Sequence, residues 1–256
     1  MSAGRSRLAA YLDQRRRMGE PAVVPEGLAP GELLGLAAAD DGNRALRDRQ
    51  GIAPSGRRGE RATTRAGAVE IGTAGYRDLR ETAMACTRCR LCEGRTTVVF
   101  SDGNPDARLM VVGEAPGADE DASGVPFVGR AGKLLDLMLA SVSLSRRESV
   151  YICNVLKCRP PGNRNPLPEE IESCAPLLKR QIELVAPEVL LAVGSFAAQW
   201  LTSTTKAVGK LRGRVYGYQG LPLVVTYHPA ALLRNPGWSR PVWEDLQLLC
   251  QIMDRK

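Results

Sequence analysis

The sequence predicts an α/β domain of three layers, α/β/α, built on a central, mainly parallel four-stranded sheet, and three observations carry that expectation. From Tyr76 onward, short apolar runs alternate with stretches of helical periodicity, the pattern of a parallel sheet covered on both faces. The runs are too short for helices and are bounded by glycine, proline or polar residues. The chemically unusual residues follow directly after the runs, where an open parallel sheet places its site.

Taken in order, residues 77–92 read as a first helix and Leu109-Met110-Val111-Val112 as a buried strand that ends at Gly113. Residues 132–142 read as a helix with Leu134, Leu135, Met138 and Leu139 on one face, and Val150-Tyr151-Ile152-Cys153 as the second strand. The helix at 168–185 opens on Pro168, Glu169 and Glu170. Proline sacrifices no hydrogen bond at that position, and carboxylates suit the positive end of the helix dipole. A third strand at 189–193, a helix at 195–201, a fourth strand at 223–227 and a helix at 242–253 complete the series.

Residues 1–75 are different: Ala, Gly and Arg dominate, Lys is absent and no strand-like run occurs. Such a segment buries too little apolar surface to offset the entropy of ordering it. It is expected to be a largely disordered, linker-like extension with short helices at 8–18 and 32–39, ahead of a domain at 76–256. No stretch approaches the ~20 apolar residues of a membrane span, and no apolar signal core precedes the first charges. A cytoplasmic monomer is therefore expected, and in a reducing compartment seven cysteines serve as thiols or metal ligands rather than disulfides. The net charge of +7 favours a polyanionic partner, because basic side chains that neutralise phosphates release counterions.

Three strand ends carry the candidate site: Gly113-Glu114-Ala115-Pro116-Gly117, then Asn154, then His228-Pro229-Ala230. Residues 113–132 hold five glycines around Phe127, but neither GxGxxG nor a GKS/GKT ending, so no nucleotide loop is indicated. His228 is the only histidine, and Leu232, Leu233 and Arg234 follow it. Two apolar side chains beside a cation are the types used as a wedge between bases next to a phosphate contact. Cys86 and Cys89 form a Cys-x-x-Cys pair on the first helix, and Cys158 and Cys174 are separated by fifteen residues. A structural zinc more often has two tight knuckles; four thiolates from distant segments suit an iron-sulfur cluster at least as well. Cys153 and Cys250 read as buried free thiols.

Together, GEAPG, GVPFVGRAG, YICNVLKCRPPGNRNP, the Cys-x-x-Cys and HPAALLRNP resemble family 4 uracil-DNA glycosylases, in order from about Tyr76 to Lys256. The resemblance implies a uracil-DNA glycosylase-like fold and an enzyme that hydrolyses the N-glycosidic bond of uracil in single-stranded or duplex DNA. It implies a 4Fe-4S cluster on Cys86, Cys89, Cys158 and Cys174, with Cys92 spare. Phe127 would stack on the flipped base, Asn154 would pair with its edge beside Gly113, Glu114 and Ala115, and His228 would face O2. Glu120, paired with Asn163, would orient the attacking water, and Glu114 or Pro116 would exclude the methyl group of thymine. A related covalent branch carries an Arg-rich insert where this chain reads NVLKCRPPGNR, so that branch is disfavoured. Two alternatives stay open: a same-fold glycosylase for another damaged base, and a non-catalytic iron-sulfur DNA-binding protein.

Overall fold

The computed structural model describes residues 70–254. The short helices expected at 8–18 and 32–39 lie outside the described residues. Among those described, a six-stranded sheet has the order β1-β3-β2-β4-β6-β5, formed by β1 (Asp102–Gly103), β2 (Leu109–Gly113), β3 (Val150–Asn154), β4 (Val189–Val193), β5 (Val215–Tyr218) and β6 (Leu221–Thr226). The four expected strands are the parallel centre, β3-β2-β4-β6. Two antiparallel edges, β1 on β3 and β5 on β6, are added to it. β1 has two residues, and β5 reads Val-Tyr-Gly-Tyr with exposed and half-buried positions alternating, so neither forms an apolar run.

The helices are α1 (Tyr76–Met84), α2 (Leu91–Gly94), α3 (Ala118–Ser123), α4 (Arg130–Ser141), α5 (Pro168–Val185), α6 (Ser195–Thr202), α7 (Val208–Leu211), α8 (Pro229–Arg234) and α9 (Ser239–Asp254). Alternate strand residues sort onto two faces, as the pleat requires. Leu109, Val111, Ile152 and Leu191 pack with Leu135 and Leu139 of α4 and with Leu246 and Leu249 of α9. Met110, Val112, Tyr151 and Leu190 pack with Leu178 and Ile182 of α5 and with Ala197 and Leu201 of α6. The central strands are buried on both faces, which is why they read as unbroken apolar runs.

The continuous helix expected at 77–92 is not formed. α1 stops at Met84, and Cys86 and Cys89 lie in the turn before α2, not on a helix. No glycine or proline marks that stop, so tertiary packing overrides a local propensity. Residues 70–75 pack on the domain: Ala74 is buried, and its carbonyl accepts from Arg180 Nε at 2.8 Å. No helix among the described residues is long and apolar enough to cross a membrane.

Candidate active site

Because the chain runs from β2 to β3 on one side and to β4 on the other, the loops after these strands diverge around a crevice at their carboxyl ends. A cavity of about 580 Å³ opens there, lined by residues that follow β2, β3, β4 and β6. Glu114, Ala115, Glu120, Phe127, Asn154, Asn163, His228 and Arg234 all line it. Gly113 does not reach the lining, but its missing side chain shapes the site. A Cβ there would lie 2.3 Å from Asn154 Oδ1 and 2.4 Å from Phe127 Cζ. Glycine is thus what allows those two side chains to meet over the strand end.

Asn154 closes β3 and is almost wholly buried. Its Oδ1 has no hydrogen-bond partner, whereas its backbone carbonyl accepts from the buried Lys157 Nζ at 2.6 Å. An unpartnered buried acceptor costs roughly 1–3 kcal/mol and is kept where a ligand supplies the donor.

His228 caps α8, its Nδ1 accepting from the N–H of Ala230 at 3.1 Å. In the neutral ring the proton then sits on Nε2, which makes that nitrogen a donor. Burial, aided by the positive charge of Arg234 and opposed by Glu120, pushes the imidazole down to about 4, so the neutral form prevails at physiological pH. The ring stacks on Phe127 with centroids 5.6 Å apart. Phe127 holds a left-handed φ of 55°, a conformation that costs a non-glycine residue on the order of 1–3 kcal/mol.

Glu120 sits on α3, and its carboxylate accepts from three backbone N–H groups, of Gly117 at 3.0 Å, Val128 at 2.9 Å and Gly129 at 3.0 Å. It staples the glycine-rich loop. Asn163 lines the same cavity as Glu120, and its Oδ1 accepts from Arg159 Nε at 2.7 Å. Glu114 is half-buried, and burial raises its carboxyl above the usual range. Pro116 also lines the cavity.

The wedge expectation needs correction. Leu232 is buried in the core beneath the sheet and is not free to insert into DNA, because helical spacing turns it inward from α8. Leu233 packs partly against that core, and Arg234 is exposed. Sequence reasoning missed the end of β4, where Gly194, Ser195 and Phe196 line the cavity. The signal was present: Gly194 follows the run VLLAV as Gly113 follows LMVV. Gly194 has a φ of +96°, and a Cβ there would stand 3.0 Å from that of His228.

A second, smaller cavity is lined by Cys86, Cys89, Cys158 and Cys174, together with Arg95 and Lys157. Arg95 Nη1 donates to Cys158 Sγ at 3.2 Å. Burial raises the thiols of Cys89 and Cys158, and that of Cys174 to about 11. Among the described residues no three His, Cys, Asp or Glu side chains converge tightly enough to hold a single metal ion. Cys92 is absent from the lining.

Fold and site together define a mainly parallel sheet covered on both faces, with a cavity at its strand ends that combines apolar walls with Asn154, Glu120 and His228. The chain belongs to the uracil DNA glycosylase superfamily, whose model matches residues 100–247. It is similar to the type-4 uracil-DNA glycosylase of Archaeoglobus fulgidus, with 42% identity over 70% of this chain and 94% of the relative. The type-4 uracil-DNA glycosylase of Thermotoga maritima is 46% identical over 65% of this chain and 88% of its own length. That of Sulfurisphaera tokodaii is 39% identical over 68% and 83%.

Proposed function

We propose that this chain is a DNA-repair glycosylase that hydrolyses the N-glycosidic bond of uracil in DNA. The observation that carries the reading is the buried, unpartnered Asn154 Oδ1 beside a histidine whose Nδ1 is already occupied. Uracil flipped into the cavity brings an N3–H to that acceptor, whereas cytosine brings an acceptor and leaves both atoms unpaired. Phe127 stacks on the base, and Glu114 or Pro116 closes the space a thymine methyl would need.

As the glycosidic bond stretches, its electron pair moves onto the base and positive charge grows on the sugar. His228 Nε2–H donates to O2 and stabilises the departing anion, a role worth roughly 10²–10³ in rate for one donor. Glu120 retains acceptor capacity beyond its three N–H partners, since a carboxylate offers about four lone-pair sites. It orients the water whose oxygen bonds to the sugar carbon and favours the developing cation. Arg234, exposed at the cavity mouth, is placed for a phosphate.

The four cysteines around the second cavity would hold a 4Fe-4S cluster. Their all-thiol chemistry fits, and their spread around a cavity suits one cysteine per iron better than four thiolates on a lone ion. When bound, the group ties residues 86–89 to Cys158 and α5.

Incubating the protein with single-stranded and duplex oligonucleotides bearing one uracil, followed by alkaline cleavage, tests the activity. Strand scission at uracil and none at cytosine or thymine is expected. Cleavage only at hypoxanthine or mismatched thymine supports a different base, and binding without scission supports a non-catalytic role. About four irons per chain, with broad absorption near 400 nm, is the expected cofactor signature; one zinc in a colourless active protein overturns it.

A further inference from the structure

We propose that Arg146 is the positioning residue for Phe127, fixing the ring where the flipped base stacks. The inference deepens the proposed function and rests on the reading that Phe127 stacks on uracil. Arg146 lies between α4 and β3, outside every motif that carries the family resemblance.

Its guanidinium grips two successive carbonyls: Nη1 donates to Pro126 O at 2.9 Å and Nη2 to Phe127 O at 2.7 Å. These oxygens belong to the two peptide planes that flank the α-carbon of Phe127. The torsions φ and ψ of a residue set the relative orientation of its two flanking planes, so one planar group holding both oxygens restrains both torsions. Phe127 needs such a hold, because its φ of 55° lies in the left-handed region that side chains avoid. Gly132 completes the seat, since a Cβ there would fall 1.7 Å from Phe127 O.

The guanidinium is itself anchored by two carboxylates. Nη1 also donates to Asp102 Oδ2 at 3.0 Å, and Nε donates to Asp136 Oδ1 at 2.7 Å. This assigns a purpose to the two-residue edge strand β1, which carries Asp102 to the arginine. Gly103, with a φ of +92°, lets that strand close on the loop, where a Cβ would stand 2.8 Å from Arg146 O. Lysine, a point charge without the fork, cannot reproduce these contacts.

The test is a double-mutant cycle with crystallography. Arg146→Met and Arg146→Lys are each made in the wild-type and Phe127→Ala backgrounds, and single-turnover uracil excision is measured. In the wild-type background each is expected to slow excision about tenfold, and in Phe127→Ala by less than about twofold, because the arginine then has no ring to place. Equal factors in both backgrounds, or no loss in the first, overturn the proposal. Arg146→Lys keeps the charge and serves if the methionine variant does not fold. In its crystal structure Phe127 is expected to leave φ near +55° and its stack on His228; an unmoved ring overturns the assignment whatever the rates. Failure of the wild-type protein to excise uracil would instead strike at the functional reading, while the crystallographic arm still judges Arg146.

Discussion

At the carboxyl ends of the strands the cavity wall follows from the sheet itself: Asn154 and Gly113 end their strands, and Gly194 directly follows β4, each glycine beside the side chains it accommodates. Beside α5, by contrast, four thiols come from a turn, a loop and a helix separated by many residues. The first wall is held by register between strands and needs no ligand to keep its shape. The second joins segments that also share an apolar cluster of Leu79, Ala83, Leu91, Leu156 and Leu177, and a group bound across the thiols would add a direct link to that packing. Substitutions in the two regions should therefore fail in different ways.

The largest effect is expected at the cysteines. Cys158→Ala should lose bound metal and cost several kcal/mol, lowering the melting temperature on the order of 10 °C or leaving the protein insoluble. Cys92→Ala should keep metal and melting temperature, because Cys92 stays out of the lining. Iron analysis and calorimetry on both variants provide the check; a Cys158→Ala protein with full iron and an unchanged transition would erase the distinction between the cavities.

Next comes His228. His228→Ala should slow single-turnover excision roughly 10²–10³-fold with little change in DNA affinity, since its donor matters mainly as charge develops. The ring, held at about 4 against an ordinary 6.5 by burial, also gives a stability signature. Its folded value lies below the unfolded one, so its contribution is fully present above pH 6.5 and is lost as pH falls toward 4. The difference amounts to roughly 3 kcal/mol at 1.36 kcal/mol per unit. Denaturation of wild type and His228→Ala across that window should show a slope that the variant lacks. As the only histidine, it can also be followed by NMR without assignment; titration near 6.5 would contradict the buried neutral ring.

The same contrast separates what the sequence made legible from what it hid. The four parallel strands were legible because burial on both faces writes unbroken apolar runs, and Asn154 and His228 because they end such runs. The edge strands were not, since a two-residue pairing leaves no pattern and β5 is half exposed. The break of α1 was hidden because the residues after Met84 would continue a helix and only packing stops them. Leu232 was misread because its spacing from His228 suits either a wedge or a core face, and only the direction of α8 decides. Arg146 has no motif; its meaning lies in two backbone carbonyls that sequence does not place.

A smaller effect tests where the rigid wall ends and the DNA-facing rim begins. Leu232→Ala should lower stability by about 2–5 kcal/mol, as for a buried leucine, with equal losses on single-stranded and duplex DNA. Leu233→Ala should leave the melting temperature nearly unchanged and slow excision from duplex about tenfold more than from single strands, where no stacked partner must be displaced. Equal losses on both substrates from Leu233→Ala would assign that side chain to the core as well.

The smallest effect is expected from removing residues 1–69, which lie outside the described residues. Among the described residues neither lining includes a residue before Ala83, so removing residues 1–69 should leave metal content and excision at saturating DNA intact. The removed segment carries twelve arginines against eight carboxylates, a surplus of about four positive charges. Each phosphate neutralised contributes about 0.9 to the slope of log affinity against log salt, so four charges bound the change at roughly four units, and a dispersed set engages only part of that. A fall in affinity of less than about tenfold at low salt, with a slope shallower by about one to two, is therefore expected from titrations of the truncated protein at several salt concentrations. An unchanged slope would remove the segment from DNA binding. Loss of iron or of saturating turnover would instead place part of it within the domain, supporting one of the two cavities from outside its lining.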